Sequence, residues 1–338
     1  VVCPGKSGSE NIEGPRFLEA NMYFPCFLPR YHKLLKCCVS RENHGGKITK
    51  SRLVVVTGAA RGLGVGICQQ ILDQDSTSEV VVAARRFDDA ERVCSELGAR
   101  ATPLQCDVNS DSSCREAAEK ISQLRQGRAL SLVNNAGVAF DTFHPAPWPA
   151  RVARDTLEVN LFGVKRITEA LLPQLNDAEA EGRIVMVSSG GSWKNINKMS
   201  AERRAFLLSD ALAWQDLEEL VQQFIKEYET AASSQTEDAS SHLPYMSASG
   251  LWLTSYGFSK ACLNAYCRIL ARSYPSVLCV CYNPGMVKTD MPDPNFKGEF
   301  KSPYEGGDAA AWLACAAEAE TGCFYSNDRS KFVRKRQD

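Results

Sequence analysis

From Leu53 onward, apolar residues fall into short continuous runs, separated by segments in which they recur every three to four positions. The runs are Leu53–Thr57, Val80–Ala84, Ala101–Gln105, Leu130–Asn134, Ile184–Ser188, Val277–Asn283 and a short Cys323–Ser326. Continuous apolar runs predict strands buried on both faces, and the periodic segments predict helices of ten or more residues. Strand alternating with helix, joined by right-handed crossovers, predicts an α/β fold with one doubly wound parallel sheet of the Rossmann type. No internal repeat is visible.

One segment breaks this rhythm. Between Ser189 and Tyr256 lie 66 residues. They contain a stripe at Leu217, Leu220, Val221, Phe224, Ile225 and Tyr228, which predicts an amphipathic helix starting near Ser209 or Asp210. Ala231–Ser241, rich in Ser, Thr, Ala and acid, reads as a mobile loop. The chain therefore divides into an extension, 1–50, and one domain, 51–338, with an insertion at 190–252.

The extension lacks periodicity. It carries eight Lys/Arg against four Glu, and it has neither an initiator Met nor the apolar core of a signal peptide. It reads as a disordered extension of a fragment or processed form, with an organelle-targeting remnant as the alternative.

Composition adds exclusions. The 338 residues hold 39 Lys+Arg and 40 Asp+Glu, a net charge of −1, which gives no overall field for nucleic acid or an anionic membrane. The basic tail Lys331–Arg336 comes without a basic face or an aromatic platform, so nucleic-acid binding is not expected. Apolar stretches such as Leu53–Val56 and Ile184–Val187 fall far short of the roughly 18 residues of a membrane span. The fourteen cysteines show no C-x-x-C and no zinc spacing with His. They read as small hydrophobes in a reducing, cytoplasmic setting, with no metal.

Three places carry chemistry. First, strand one ends in Thr57-Gly58-Ala59-Ala60-Arg61-Gly62-Leu63-Gly64 before a helix. Glycines there let the backbone approach a pyrophosphate, and the helix start favours its charge. Second, strand two ends in Arg85-Arg86. Arginines suit a 2′-phosphate, whereas an acid would suit a free 2′-hydroxyl. With Arg61 they point to NADP(H), and Asp88 and Asp89 read as the next helix's N-terminal cap. Asp107, followed by Val108, is placed to accept from an adenine amino group, and Asn134-Asn135-Ala136-Gly137 closes strand four beside the adenosine ribose. Third, Tyr256 and Lys260 lie four apart on a helix, so the ammonium can lower the tyrosine pKa from about 10. Ser188-Ser189 ends strand five at the ligand-binding edge, and Asn160 can hold a water linking the lysine to solvent.

Thr57–Gly64, Asn134–Gly137, Asn160, Ser189, Tyr256–Lys260 and Asn283-Pro284-Gly285 occur in the order found in short-chain dehydrogenase/reductases, and the chain resembles that family over about residues 52–326. The resemblance implies a seven-stranded sheet and an Asn160–Ser189–Tyr256–Lys260 tetrad. In it Tyr256 is the general acid, Lys260 binds the nicotinamide ribose and tunes Tyr256, Ser189 polarises the carbonyl, and Asn160 completes a proton relay. Ser189 is chosen over Ser188 because the family's serine is usually the second of such a pair. The long insertion, the run Asn283–Met291 and the ending Gly322–Tyr325 are most similar to the monomeric carbonyl reductases of that family. In that subgroup the insertion covers the helices through which relatives dimerise, which implies a monomer. Pro284 and Gly285 are then expected to bind the cofactor, Val287 and Thr289 to contact its nicotinamide end, and Trp193 and Met286 to line the substrate pocket.

The expected activity is NADPH-dependent reduction of a ketone, aldehyde or quinone. A non-enzymatic NADP(H)-binding regulator and an alcohol or steroid dehydrogenase working oxidatively are the alternatives. The physiological carbonyl is not legible.

Overall fold

Side chains on a strand point alternately to its two sides, and here both sides are apolar. On β1 (Arg52–Thr57), Leu53 and Val55 belong to one core, while Val54 and Val56 belong to the other. The computed structural model describes residues 51–140, 149–177, 180–233, 254–291, 298–315 and 318–331. The expected extension, 1–50, lies outside them.

The remaining strands are β2 (Glu79–Ala84), β3 (Ala101–Gln105), β4 (Ala129–Asn134), β5 (Arg183–Val187), β6 (Leu278–Tyr282) and β7 (Phe324–Tyr325). All neighbours pair in parallel, in the order β3-β2-β1-β4-β5-β6-β7. All seven predicted runs are strands, within two residues at each end. The chain steps one way from β1 and the other way from β4, so a crevice opens at their carboxyl ends, where such sheets bind ligands.

One sheet face is covered by α1 (Gly62–Gln74), α2 (Phe87–Leu97) and α10 (Pro303–Cys315). The other is covered by α3 (Asp111–Arg125), α4 (Val152–Leu157), α5 (Val164–Leu175) and the twenty-residue α9 (Thr254–Ser273). Between the last two of these in sequence lie α6 (Gly190–Lys198), α7 (Ala201–Leu207) and α8 (Trp214–Ser233). The apolar stripe does form a helix, but it begins at Trp214 rather than at Ser209 or Asp210. The Ser209 hydroxyl instead accepts from Ala211 N–H in a local turn, and the Asp216 carboxylate takes the N–H of Ala213. The helix also runs on through Ser233, into the stretch expected to be loop; residues 234–253, including the rest of that loop, lie outside the described residues.

α8 seals its stripe against α9. Phe224 stacks on Phe258 with ring centroids 3.9 Å apart, and Trp214 meets Tyr266 edge-on at 5.3 Å. Arg154 of α4 pairs with Glu229 at 2.7 Å. The described residues of the insertion thus join the same core as α4 and α9. No disulfide joins the ten cysteines among the described residues, and nine are buried, as small apolar side chains would be.

Helices α1 and α10 touch backbone to backbone. A Cβ on Gly66 would stand 2.0 Å from the Pro303 carbonyl oxygen, and one on Gly307 would stand 2.7 Å from the Gly66 carbonyl carbon. In an open helix Gly→Ala is stabilising by about 1 kcal/mol, but forcing a methyl into a filled contact costs about 1–3 kcal/mol. Gly66→Ala is therefore expected to lower the denaturation midpoint. An unchanged or raised midpoint would mean that the two helices have room to part.

Candidate active site

The glycine turn follows from the sheet edge. Gly58 leaves β1 with φ +63°, and its missing Cβ would lie 2.8 Å from Ala136 Cα at the end of β4. Gly62 also has positive φ, +53°, and a Cβ on Gly64 would collide with the Gly58 carbonyl oxygen at 2.6 Å. Each glycine is needed for close backbone approach or for a left-handed turn. Helix α1 starts at Gly62 with no side-chain cap and no acid in its first turn. Its N–H groups are thus directed at the crevice without an anion of their own, which fits a pyrophosphate. Leu63 is half-buried and packs with Val287 near Gly306.

Two residues that the sequence reading quoted only as parts of longer motifs, Thr57 and Asn135, hold this turn. The Thr57 hydroxyl accepts from the N–H groups of Asn135 and Ala136, both at 3.1 Å. The Asn135 amide donates to the carbonyls of Thr57 and Gly58. Asn134, expected at the ribose, is turned the other way. It is 1% exposed, and its amide donates to Thr168 on α5. Strand alternation dictates this, because Asn134 shares a face with the core residues Leu130 and Leu132.

The three arginines at the β1 and β2 ends are exposed. Arg61 pairs with Asp290 at 3.2 Å, reaching across to the loop that follows β6. Arg86 lies 3.7 Å from both Asp88 and Asp89. Arg86 occupies the cap position of α2, so the two acids stand in its first turn rather than at the cap. Among the described residues no carboxylate pairs with Arg85, whose carbonyl accepts from Gln105. Asp107 caps its own turn by accepting from Asn109 N–H. Val108, expected at the cofactor, is buried instead: a Cβ on Gly163 would meet it at 2.9 Å, and its carbonyl is taken by Arg166.

The four proposed catalytic residues converge on the carboxyl ends of β4 and β5. Asn160 lies in a widened helical turn, Glu158–Gly163, between α4 and α5. Such π-turns re-aim a side chain. Asn160 is fully buried, pairs with both main-chain groups of Val138 at 2.8 Å, and donates to the Ser259 hydroxyl at 2.9 Å. Lys260 donates to the Val187 carbonyl at 2.8 Å, and its ammonium lies 5.7 Å from the centre of the Tyr256 ring. A Cβ at Gly137 would lie 3.2 Å from Asn160 Oδ1 and 3.4 Å from Lys260 Nζ, so Gly137 leaves the space between them open. Burial lowers the Lys260 pKa from 10.5 to about 8.

Ser188 and Ser189 part company at the end of β5. Ser188 is 1% exposed and donates to Asn264. Ser189 caps α6, accepts from Gly191 N–H, and faces Tyr256: a Cβ at Gly191 would lie 3.4 Å from Ser189 Oγ and 3.9 Å from Tyr256 Cδ1. Trp193, expected in the substrate pocket, is 6% exposed and packs edge-on against Phe324 of β7. It faces the core because it sits on α6, a helix the sequence reading did not anticipate. Met286 is half-buried, and its carbonyl bonds Lys301. Pro284 is buried, and Gly285 turns the chain with φ +77°. Val287 packs its side chain at Gly306, while Thr289 Cγ2 would lie 3.4 Å from a Cβ on Gly62. The loop after β6 thus lies directly against the glycine turn.

A glycine turn at a switch point, joined to a buried lysine beside a tyrosine, defines a dinucleotide-dependent oxidoreductase. The sequence model of the short chain dehydrogenase family matches residues 52–202. The (+)-neomenthol dehydrogenase of Arabidopsis thaliana is 31% identical over 304 residues, spanning 81% of this chain and 96% of that protein. Carbonyl reductase [NADPH] 1 of Rattus norvegicus is 27% identical, spanning 82% and 96%. Among solved structures, salutaridine reductase from Papaver somniferum superposes with a TM-score of 0.65 at 26% identity, spanning 82% of this chain and 99% of that one. The chain belongs to the short-chain dehydrogenase/reductase family, in a carbonyl reductase-like branch. It is an oxidoreductase of carbonyl and CH–OH groups that uses a nicotinamide cofactor.

Proposed function

We propose that the protein is an NADPH-dependent carbonyl reductase acting on a ketone, aldehyde or quinone. The observation that carries this reading is the convergence of Ser189 and Tyr256 around Gly191, with the buried Lys260 ammonium behind the tyrosine ring. The reduced nicotinamide, when bound, supplies the hydride. Ser189 Oγ–H donates to the substrate carbonyl oxygen and polarises it. Tyr256 then delivers its phenolic proton to that oxygen as negative charge builds there. The Lys260 ammonium stabilises the phenolate left behind. Asn160 and the open space at Gly137 supply a route by which the proton returns from solvent.

The choice of NADPH rests on Arg61, Arg85 and Arg86. Arg85 is the arginine without a competing carboxylate among the described residues, so it is the first to meet a 2′-phosphate. The name of the rat relative includes NADPH, which supports the same choice. Cover of α4 and α9 by α8 supports a monomer, and the reduced cysteines support the cytoplasm. A quinone and ketone panel, followed as NADPH and NADH oxidation, tests the reading. Turnover is expected with NADPH, and Arg85→Ala should raise the KM for NADPH about ten- to a hundredfold, a charge-assisted contact's worth, while leaving NADH nearly unchanged. An equal rise for both cofactors would remove Arg85 from phosphate recognition.

A further inference from the structure

Tyr256, Lys260 and Asn264 recur every four residues on one face of α9. The first two belong to the reaction; the third is not assigned a part in it. Asn264 is 7% exposed, and its amide is used at both ends. Its Oδ1 accepts from the Ser188 hydroxyl at 2.6 Å, and its Nδ2 donates to the Ser192 hydroxyl at 3.0 Å. The Ser192 hydroxyl in turn donates to the Ser189 carbonyl at 2.7 Å. The strap therefore grips the residue before Ser189, and it reaches Ser189's own main chain through Ser192. Beside it the two helices are in close contact: a Cβ at Gly257 would lie 3.0 Å from the Gly191 carbonyl oxygen.

We infer that Asn264 is a positioning residue that sets the Ser189 hydroxyl relative to Tyr256. It does so by tying the β5–α6 turn to the helix that carries the proton donor. Only a side chain with both an acceptor and a donor completes the strap. The Ser192 proton is already committed to Ser189, so a carboxylate at 264 loses the second bond. Without the strap the Ser189 hydroxyl loses its fixed place, and small misplacements of reacting groups are costly. This inference rests on the proposed role of Ser189 in polarising the carbonyl.

The test is a double-mutant cycle on the full-length protein, with kcat read at saturating NADPH and ketone and NADPH affinity read separately by fluorescence titration. Asn264→Ala is expected to lower kcat about ten- to a hundredfold, with NADPH affinity within about twofold, because the glycine turn lies elsewhere. In a Ser189→Ala background the same substitution should change kcat by less than about twofold, since the group it positions is gone. An equal loss in both backgrounds, or no loss in the first, overturns the inference. Ser192→Ala removes both bonds of the Ser192 hydroxyl, the one from Asn264 and the one to the Ser189 carbonyl, with almost no change of volume; it repeats the cycle should Asn264→Ala fail to fold, and the same two outcomes apply. If Ser189→Ala alone keeps the wild-type kcat, the role of Ser189 fails, which is distinguishable from failure of Asn264 alone.

Discussion

Tyr256→Phe is expected to lower kcat about a hundred- to ten-thousandfold while leaving NADPH affinity almost unchanged. The substitution removes one oxygen and keeps the ring. That ring is half-buried beside Gly191 and Gly257, so packing is preserved. The hydroxyl is the only group in the convergence that the proposed mechanism uses as an acid. Ser189 remains to polarise the carbonyl but does not replace the proton, because an aliphatic hydroxyl is a far weaker acid than a phenol. Steady-state rates and a cofactor titration on the purified variant check the split. A loss of NADPH binding equal to the loss of rate would make Tyr256 a binding residue instead.

Lys260→Met is expected to abolish activity and to stabilise the fold. The lysine is 4% exposed and, among the described residues, donates one hydrogen bond, to the Val187 carbonyl. Its pKa of about 8, down from 10.5, means that folding disfavours the charged form, by an amount on the order of 3 kcal/mol. Methionine has nearly the same length and carries no charge. Leaving the Val187 carbonyl unpaired takes back about 1–2 kcal/mol, so a net gain of about 1–2 kcal/mol is expected near pH 7. The sign with pH follows from the depressed value. The unfolded chain holds this proton up to about pH 10.4, and the folded chain releases it near 8. The penalty on the wild type is therefore complete below about pH 8 and fades as pH rises toward 10. The stability gap between Lys260→Met and wild type should close over that window. Denaturation midpoints at pH 7 and pH 10 check it; a gap that widens would place the charge on the stabilising side. Buried charges retained at such a cost are a mark of functional sites.

How much of this was legible depended on whether backbone or packing set each position. The glycine turn was legible because Gly58, Gly62 and Gly64 meet local requirements of φ and approach that sequence spacing records. Tyr256 and Lys260 were legible because one helical turn fixes them. Asn134 was misplaced at the site, yet strand alternation carried the signal: it continues the Leu130, Leu132 face and so had to be buried. The same count leaves Asn135 at the edge, where it holds Thr57 and Gly58. Trp193 was misplaced for a different reason. Gly190-Gly191-Ser192 reads as loop on propensity, and the helix there is carried by the Ser189 cap and by packing on α9. Val108 and Asn264 depend on neighbours far away in sequence, Gly163 in one case and Ser188 and Ser192 in the other. No local pattern announces such contacts.

The central claim is that this fold delivers a hydride to a carbonyl while Tyr256 delivers the proton. Single turnovers with a ketone and NADPH carrying deuterium at the transferred position of nicotinamide C4 test it most directly, with the product alcohol read by mass spectrometry. The account predicts deuterium on the carbinol carbon, formed at least about a hundredfold more slowly by Tyr256→Phe. Alcohol without the label, or labelled alcohol formed equally fast by the variant, would contradict it.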